Sequence, residues 1–247
     1  MSSTRGPREP SIEAVRTPDL RGSLQLSGVL LTAGFVVYLG VSVLHPAGVD
    51  PNDHPAVFAT YARSMAWTAV HLGQFAGFAG MVAGLCVLIW ALTPRGGAGA
   101  PLGAIGLLFA TAALALTAGR YAVDGVALKR AVDAWAAAPR SEKPARLASA
   151  EAIRWVEEAM TSYQGIVLAV TLLCAAALIV RTRRAPLGVG YVLAVSAVAF
   201  LVVGWIVGVA GFAPPGTIPG FVSQACLPVA GVWLMVGARR MPAPAGG

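Results

Sequence analysis

Acidic residues are scarce in this chain. It holds 11 Asp and Glu against 18 Lys and Arg. After Asp19, every acid falls in one of two stretches, Asp50 to Asp53 or Asp124 to Glu158. Charged residues make up 12% of the whole, about half the share usual in soluble domains. Mean hydropathy is +0.71. These deficits exclude an ordinary water-soluble domain.

Cysteine and histidine are also rare, with three of each. Cys86, Cys174 and Cys226 lie singly inside apolar runs, with no C-x-x-C pair, so a disulfide framework is excluded and buried thiols are expected. Only His45 and His71 lie near apolar runs, and His45 sits at the end of one, which argues against haem held between facing helices. No H-E-x-x-H, phosphate-binding glycine loop or nucleophile elbow occurs. No cofactor is expected. The first 23 residues lack a short apolar segment ending in a cleavage site, so the first apolar run is expected to stay as an anchor.

What the chain has instead is six apolar runs: 24–44, 65–92, 101–119, 163–180, 185–212 and 218–237. A spanning helix needs about 20 apolar residues. The reading is an all-α integral membrane six-helix bundle. Residues 1–23 are expected to form a disordered cytoplasmic tail, 24–240 the membrane domain, and 241–247 a second cytoplasmic tail. An even number of crossings returns the chain to its starting side. That side carries Arg5, Arg8, Arg16, Arg21, Arg95, Arg181, Arg183, Arg184, Arg239 and Arg240, and with them the whole net charge of +7. The positive-inside rule makes it the cytoplasmic side. The basic balance is thereby explained by topology, and no nucleic-acid partner is inferred. Ala/Gly/Val-rich spans with Arg-rich loops resemble polytopic proteins of high-GC bacteria, which implies a bacterial plasma membrane. That resemblance is compositional and carries no activity.

The polar mass lies on the other side. Residues 120–162 form an extracytoplasmic helical hairpin between spans three and four. Its first helix shows an apolar stripe of Val123, Ala127, Leu128, Ala131, Val132 and Trp135. Its second shows a seam of Ile153, Val156, Met160, Tyr163 and Val167, at spacing 3, 4, 3, 4. Ser141 is a candidate cap for that helix. The hairpin either continues spans three and four or lies on the membrane. Glycines at 73, 77, 80 and 84 and at 204, 208 and 211 mark close-packed faces, which could also join copies into an oligomer. Spans two and five are both long and glycine-rich, a hint of an inverted repeat.

His71, inside span two, is the sharpest candidate for chemistry, because an ionisable group within a span suggests function. Gln74 lies one turn on. Arg120 and Asp124 sit at the end of span three. Glu151, Arg154, Glu158 and Ser162 share a face of the second hairpin helix. His71, Gln74, Arg120, Asp124, Arg154 and Glu158 are the candidate ligand-binding residues. A solvated charged face is the plainer reading of the hairpin charges. The loop from His45 to Pro55 holds His45, Asp50, Asp53 and His54, a set able to ligate a cation, although Asp53 or His54 with Pro55 also looks like a helix start.

Three functions are compatible with this pattern. The first is a non-enzymatic plasma-membrane protein binding a partner protein, lipid or small polar ligand at its outer face. The second is a small transporter or channel-like protein. The third is a membrane-embedded enzyme using His71 as base with Asp124 or Glu158.

Overall fold

The structure is a computed structural model and describes residues 19–46, 48–94, 96–97, 99–212 and 216–241. The expected tails lie outside these residues except for 19–23 and 241. Residues 20–23 belong to a helix: Asp19 caps it, its carboxylate accepting the Arg21 amide at 3.1 Å.

The described residues form eight α-helices in order: α1 (Leu20–Ser42), α2 (His54–Arg63), α3 (Trp67–Leu92), α4 (Gly99–Ala122), α5 (Lys129–Ala137), α6 (Lys143–Thr182), α7 (Leu187–Ala210) and α8 (Thr217–Arg239). A π-helical segment, Val123–Leu128, joins α4 to α5 without a break. There is no strand among the described residues. Among the described residues, six helices are long and apolar enough to cross a membrane: α1, α3, α4 with its extension, α6, α7 and α8. The protein is a multi-pass, all-helical membrane bundle.

Sequential spanning helices pack as neighbours, and α8 closes the ring against α1. Two helices lie deepest, α3 and α6, and they also touch across the middle. The central pair is thus spans two and four. An inverted repeat would set spans two and five in equivalent places: α3 packs chiefly on α1 and α4, and α7 on α6 and α8, while α3 is the more deeply buried.

Small residues allow the tightest contacts. A Cβ on Gly77 would meet the Gly34 carbonyl and the Tyr38 amide at 2.6 Å each, so α1 and α3 approach at backbone range. On α7, a Cβ on Gly204 would lie 2.8 Å from the Ser162 carbonyl of α6. Where lipid is as apolar as a side chain, such packing supplies much of the association energy. These glycine positions are taken up inside the bundle by neighbouring helices of the same chain.

The hairpin continues the membrane helices. A helix rises about 1.5 Å per residue and the hydrocarbon core is about 30 Å thick. The 40 residues of α6 exceed that span roughly twofold. Lys143 to Ser162 therefore stand clear of the core, with α5 beside them. The expected cap at Ser141 does not form. The start of α6 is set by Pro144 in its first turn, which supplies the helical φ and removes one orphan donor. In the turn itself, the Glu142 and Lys143 amides both donate to the Pro139 carbonyl.

The first hairpin stripe holds: Leu128 and Val132 are fully buried, packed with Phe58, Trp67 and Ala150. The second holds in part: Ile153 and Val167 are half-buried against the apolar cores, Val156 and Tyr163 are not. Val156 and Tyr163 are 51% and 64% exposed, while Arg154, Glu157, Ser162 and Gln164 are buried. The inward face of α6 is the polar one. It is turned inward because it is in phase with Gly165, Leu168 and Leu172, which the membrane half of the same helix must bury.

Candidate functional site

The site lies at the hairpin end of the bundle, where α3 begins and α4 runs out. Short α2 brings aromatic cover. It starts where Asp53 caps the Ala56 amide and Pro55 fits the first turn, one of the two roles expected of that sequence. Its residue Tyr61 packs on Trp67 with ring centroids 4.0 Å apart. Trp67 in turn packs on His71 at 4.4 Å and on His45 at 4.9 Å. His45, just beyond α1, lies 5.3 Å from His71 by ring centroids. Burial holds the His45 imidazole below its ordinary range and pushes the Tyr61 hydroxyl up to about 12.

The π segment completes this corner. Its wider turn leaves carbonyls without regular helical partners, and α3 supplies donors. The Trp67 indole donates to the Asp124 carbonyl at 2.8 Å, and the Thr68 hydroxyl to the Gly125 carbonyl at 2.7 Å. Gly125 is needed because a Cβ there would lie 2.7 Å from His71 Cβ. Asp124 and Gly125 thus both face α3, and Asp124 is 4% exposed. Its Oδ2 sits 2.8 Å from His71 Nε2.

Tautomer logic follows from the second nitrogen. His71 Nδ1 lies 2.7 Å from the Trp67 carbonyl, which can only accept, so Nδ1 carries a hydrogen. Nε2 then meets a carboxylate either as a lone pair or as a second N–H. Two lone pairs at 2.8 Å repel, so a proton must lie between them or a cation must stand in for it. His45 repeats the pattern: its Nδ1 donates to the Pro46 carbonyl at 2.9 Å, leaving Nε2 as the acceptor.

A second polar group lies beside the first. Arg154 Nη1 donates to Glu157 Oε2 at 2.7 Å, both side chains being almost wholly buried. Arg154 Nε lies 3.5 Å from Glu158 Oε1, and the guanidinium sits over the Phe212 ring at 4.3 Å. Arg120 reaches the same Glu157 at 3.9 Å and donates to Gln164 Oε1 at 3.3 Å. Several buried atoms here make no hydrogen bond to any described residue, among them Arg120 Nε and Asp124 Oδ1. Burial of unsatisfied polar groups is costly.

A cavity of about 240 Å³ opens next to Arg120. Its walls are Tyr38, Phe78, Phe200, Val203, Val207 and Phe212, with Gln164, Ser223 and Gln224 as polar points. Arg120 is the one ionised residue on its described walls, and no acid lines it.

Of the six residues singled out in the sequence, five meet at this end. His71 pairs with Asp124; Arg120 and Arg154 join through Glu157, and Glu158 joins them through Arg154. Gln74 is apart, donating to Ser42 Oγ at 3.0 Å as a link from α3 to α1. The loop set His45, Asp50, Asp53 and His54 does not converge. Asp50 accepts the Asn52 amide, Asp53 caps α2, and His54 pairs with Glu151 at 3.1 Å. Only His45 turns to the buried corner, because the loop is consumed in starting α2. Glu157 was absent from the expectations, although it bridges both arginines. Its sequence signal was the series Arg154, Glu157, Thr161, Gln164 and Leu168, which continues the buried face of the span outward.

No family model matches this chain, nor does any curated protein or solved structure. The functional reading therefore rests on geometry.

Proposed function

We propose that this protein binds a small anionic amphiphile at the hairpin side of the bundle. The observation that carries the reading is the cavity beside Arg120: apolar and aromatic walls, one cation, no acid. A carboxylate or phosphate head would meet the accessible part of the Arg120 guanidinium, whose buried Nε already faces Glu157 at 3.9 Å. Gln164 and Gln224 offer amide donors to the same head, and Phe78, Phe200 and Val203 take the tail. At about 240 Å³ the space suits a short chain rather than a full phospholipid.

The charge bias supports a bacterial plasma-membrane setting with both termini cytoplasmic and the hairpin outside. The ligand would then come from the outer face. Binding is the simplest activity such a cavity supports. The enzyme reading has one observation in its favour, the His71–Asp124 pair at 2.8 Å; neither residue lines the Arg120 cavity.

The test is calorimetric titration of the purified full chain in detergent with octanoate and with octanol, which differ in head charge. Octanoate should bind and octanol should not. Arg120→Gln should weaken octanoate about 10- to 100-fold, the worth of one charged hydrogen bond. Equal binding of the two probes, or an unaltered affinity in Arg120→Gln, would remove the reading. Uptake of labelled octanoate into proteoliposomes separates a carrier from a binder.

A further inference from the structure

The corner formed by His45, His71 and Asp124 is separate from the Arg120 cavity and makes a different chemical offer. One ligand-capable atom from each of the three lies within 4.8 Å of the others. We propose that these three side chains form a binding site for a divalent first-row transition metal ion, zinc being the best match.

Four observations support this. Both imidazoles have Nδ1 tied to a backbone carbonyl, His45 to Pro46 and His71 to Trp67. Metal-ligating histidines are held this way, the second nitrogen fixing the tautomer and aiming the first. Asp124 is 4% exposed, and its Oδ1 has no hydrogen-bond partner among the described residues. A carboxylate left so bare is a ready ligand. The short His71–Asp124 contact needs a positive particle between its two atoms; a metal ion would replace the proton there. Finally, a second cavity of about 260 Å³ between α3 and α4, mostly apolar apart from Thr68 and His71, reaches the His71 side of the corner.

A purely structural ion pair would need His71 and Asp124 alone. It would not need a second imidazole whose ring stands 5.3 Å from that of His71. Two imidazoles and one carboxylate are a donor set suited to zinc, with a fourth position open to water or a ligand. Ligand atoms around tetrahedral zinc stand about 3.3 Å apart at bond lengths near 2.0 Å. The three atoms here lie within 4.8 Å of one another and would adjust to that spacing around the ion.

The experiment uses the full chain in detergent, stripped with chelator and titrated with zinc chloride by calorimetry. Cobalt(II) serves as a coloured substitute whose visible absorption reports tetrahedral nitrogen and oxygen ligation. Wild type should bind one zinc per chain and give the tetrahedral cobalt spectrum. Loss of an outer-sphere partner already costs roughly 10- to 100-fold in metal affinity. Loss of a ligand in His45→Ala should therefore cost at least 100-fold. Asp124→Asn should behave alike, and His54→Ala, which lies outside the corner, should bind as wild type does. If Asp124→Asn does not fold, His45→Ala decides, since that residue sits in a loop and its loss leaves the His71–Asp124 pair in place. No zinc uptake by wild type, or equal uptake by wild type and His45→Ala, would overturn the proposal. Weakening by His54→Ala alone would assign the metal to a surface contact and overturn it as well.

Discussion

The two halves of α6 bury one continuous face with opposite chemistry. Toward the hairpin, that face presents Arg154, Glu157, Ser162 and Gln164; within the membrane half, it presents Leu168, Leu172, Ala175 and Ile179. Both halves are equally out of contact with their surroundings, yet different forces hold them. The membrane half is held by shape, because lipid would accept its side chains as readily as the neighbouring helices do. The hairpin half is held by paired charges, whose separation leaves an ion without solvent or partner. Removing matter should therefore hurt less in the first and more in the second.

The largest effect is expected at the shared anion. Glu157→Ala strips Arg154 and Arg120 of their common partner and should destabilise by about 3–5 kcal/mol, the usual cost of breaking a buried pair. Thermal unfolding in detergent measures it; a loss comparable to that of a surface charge would mean that water reaches the network. Next comes the membrane half. Leu172→Ala should cost about 2 kcal/mol, the cavity share of a core truncation, since the transfer share is small when the alternative is lipid. If the two variants lose equal stability, the contrast between the halves fails.

Gly125→Ala tests the junction. The added methyl must push His71 away from the π segment, at about 1–3 kcal/mol for overpacking. Proximity labelling of His45 and His71 should also increase in that variant. The smallest effects belong to the outward-facing positions. His54→Ala breaks a partly exposed pair with Glu151 and should cost less than about 1 kcal/mol. Val156→Ser, half-exposed on the seam side, should stay within about 0.5 kcal/mol. A large loss at Val156 would restore the seam as a contact surface, for a partner chain if not within this one.

Much of the fold was legible because bilayer thickness imposes a length on apolar runs, and that length can be counted. The six spans follow from it, and so does the hairpin, which had to go where the acids were. The start of α2 was legible too, from Asp53 and Pro55. The inward side of α6 was misread because a seam spaced 3, 4, 3, 4 is as regular when it faces out as when it packs. Only the phase relation with the span beyond decides between them, and the buried side carried the charges. His71, Asp124, Arg120, Arg154 and Glu158 stood out as ionisable groups near the membrane boundary. Glu157 was masked by Glu158 beside it, one step around the helix. Nothing in the local sequence announces a π segment, since its wider turn is stabilised by Trp67 and Thr68 from another helix. The meeting of His45 with His71 is likewise a tertiary fact: 25 residues, a whole helix among them, lie between the two.

One property of α6 reaches further than its packing. It runs from Lys143 to Thr182 as a single uninterrupted rod. A rod has one tilt and one roll to give, and both are common to all its parts. Whatever grips the tip near Pro139 and leans on it also leans on Glu157, and so on the salt links to Arg154 and Arg120 beside the cavity. The hairpin is a lever whose short arm ends in the charged centre.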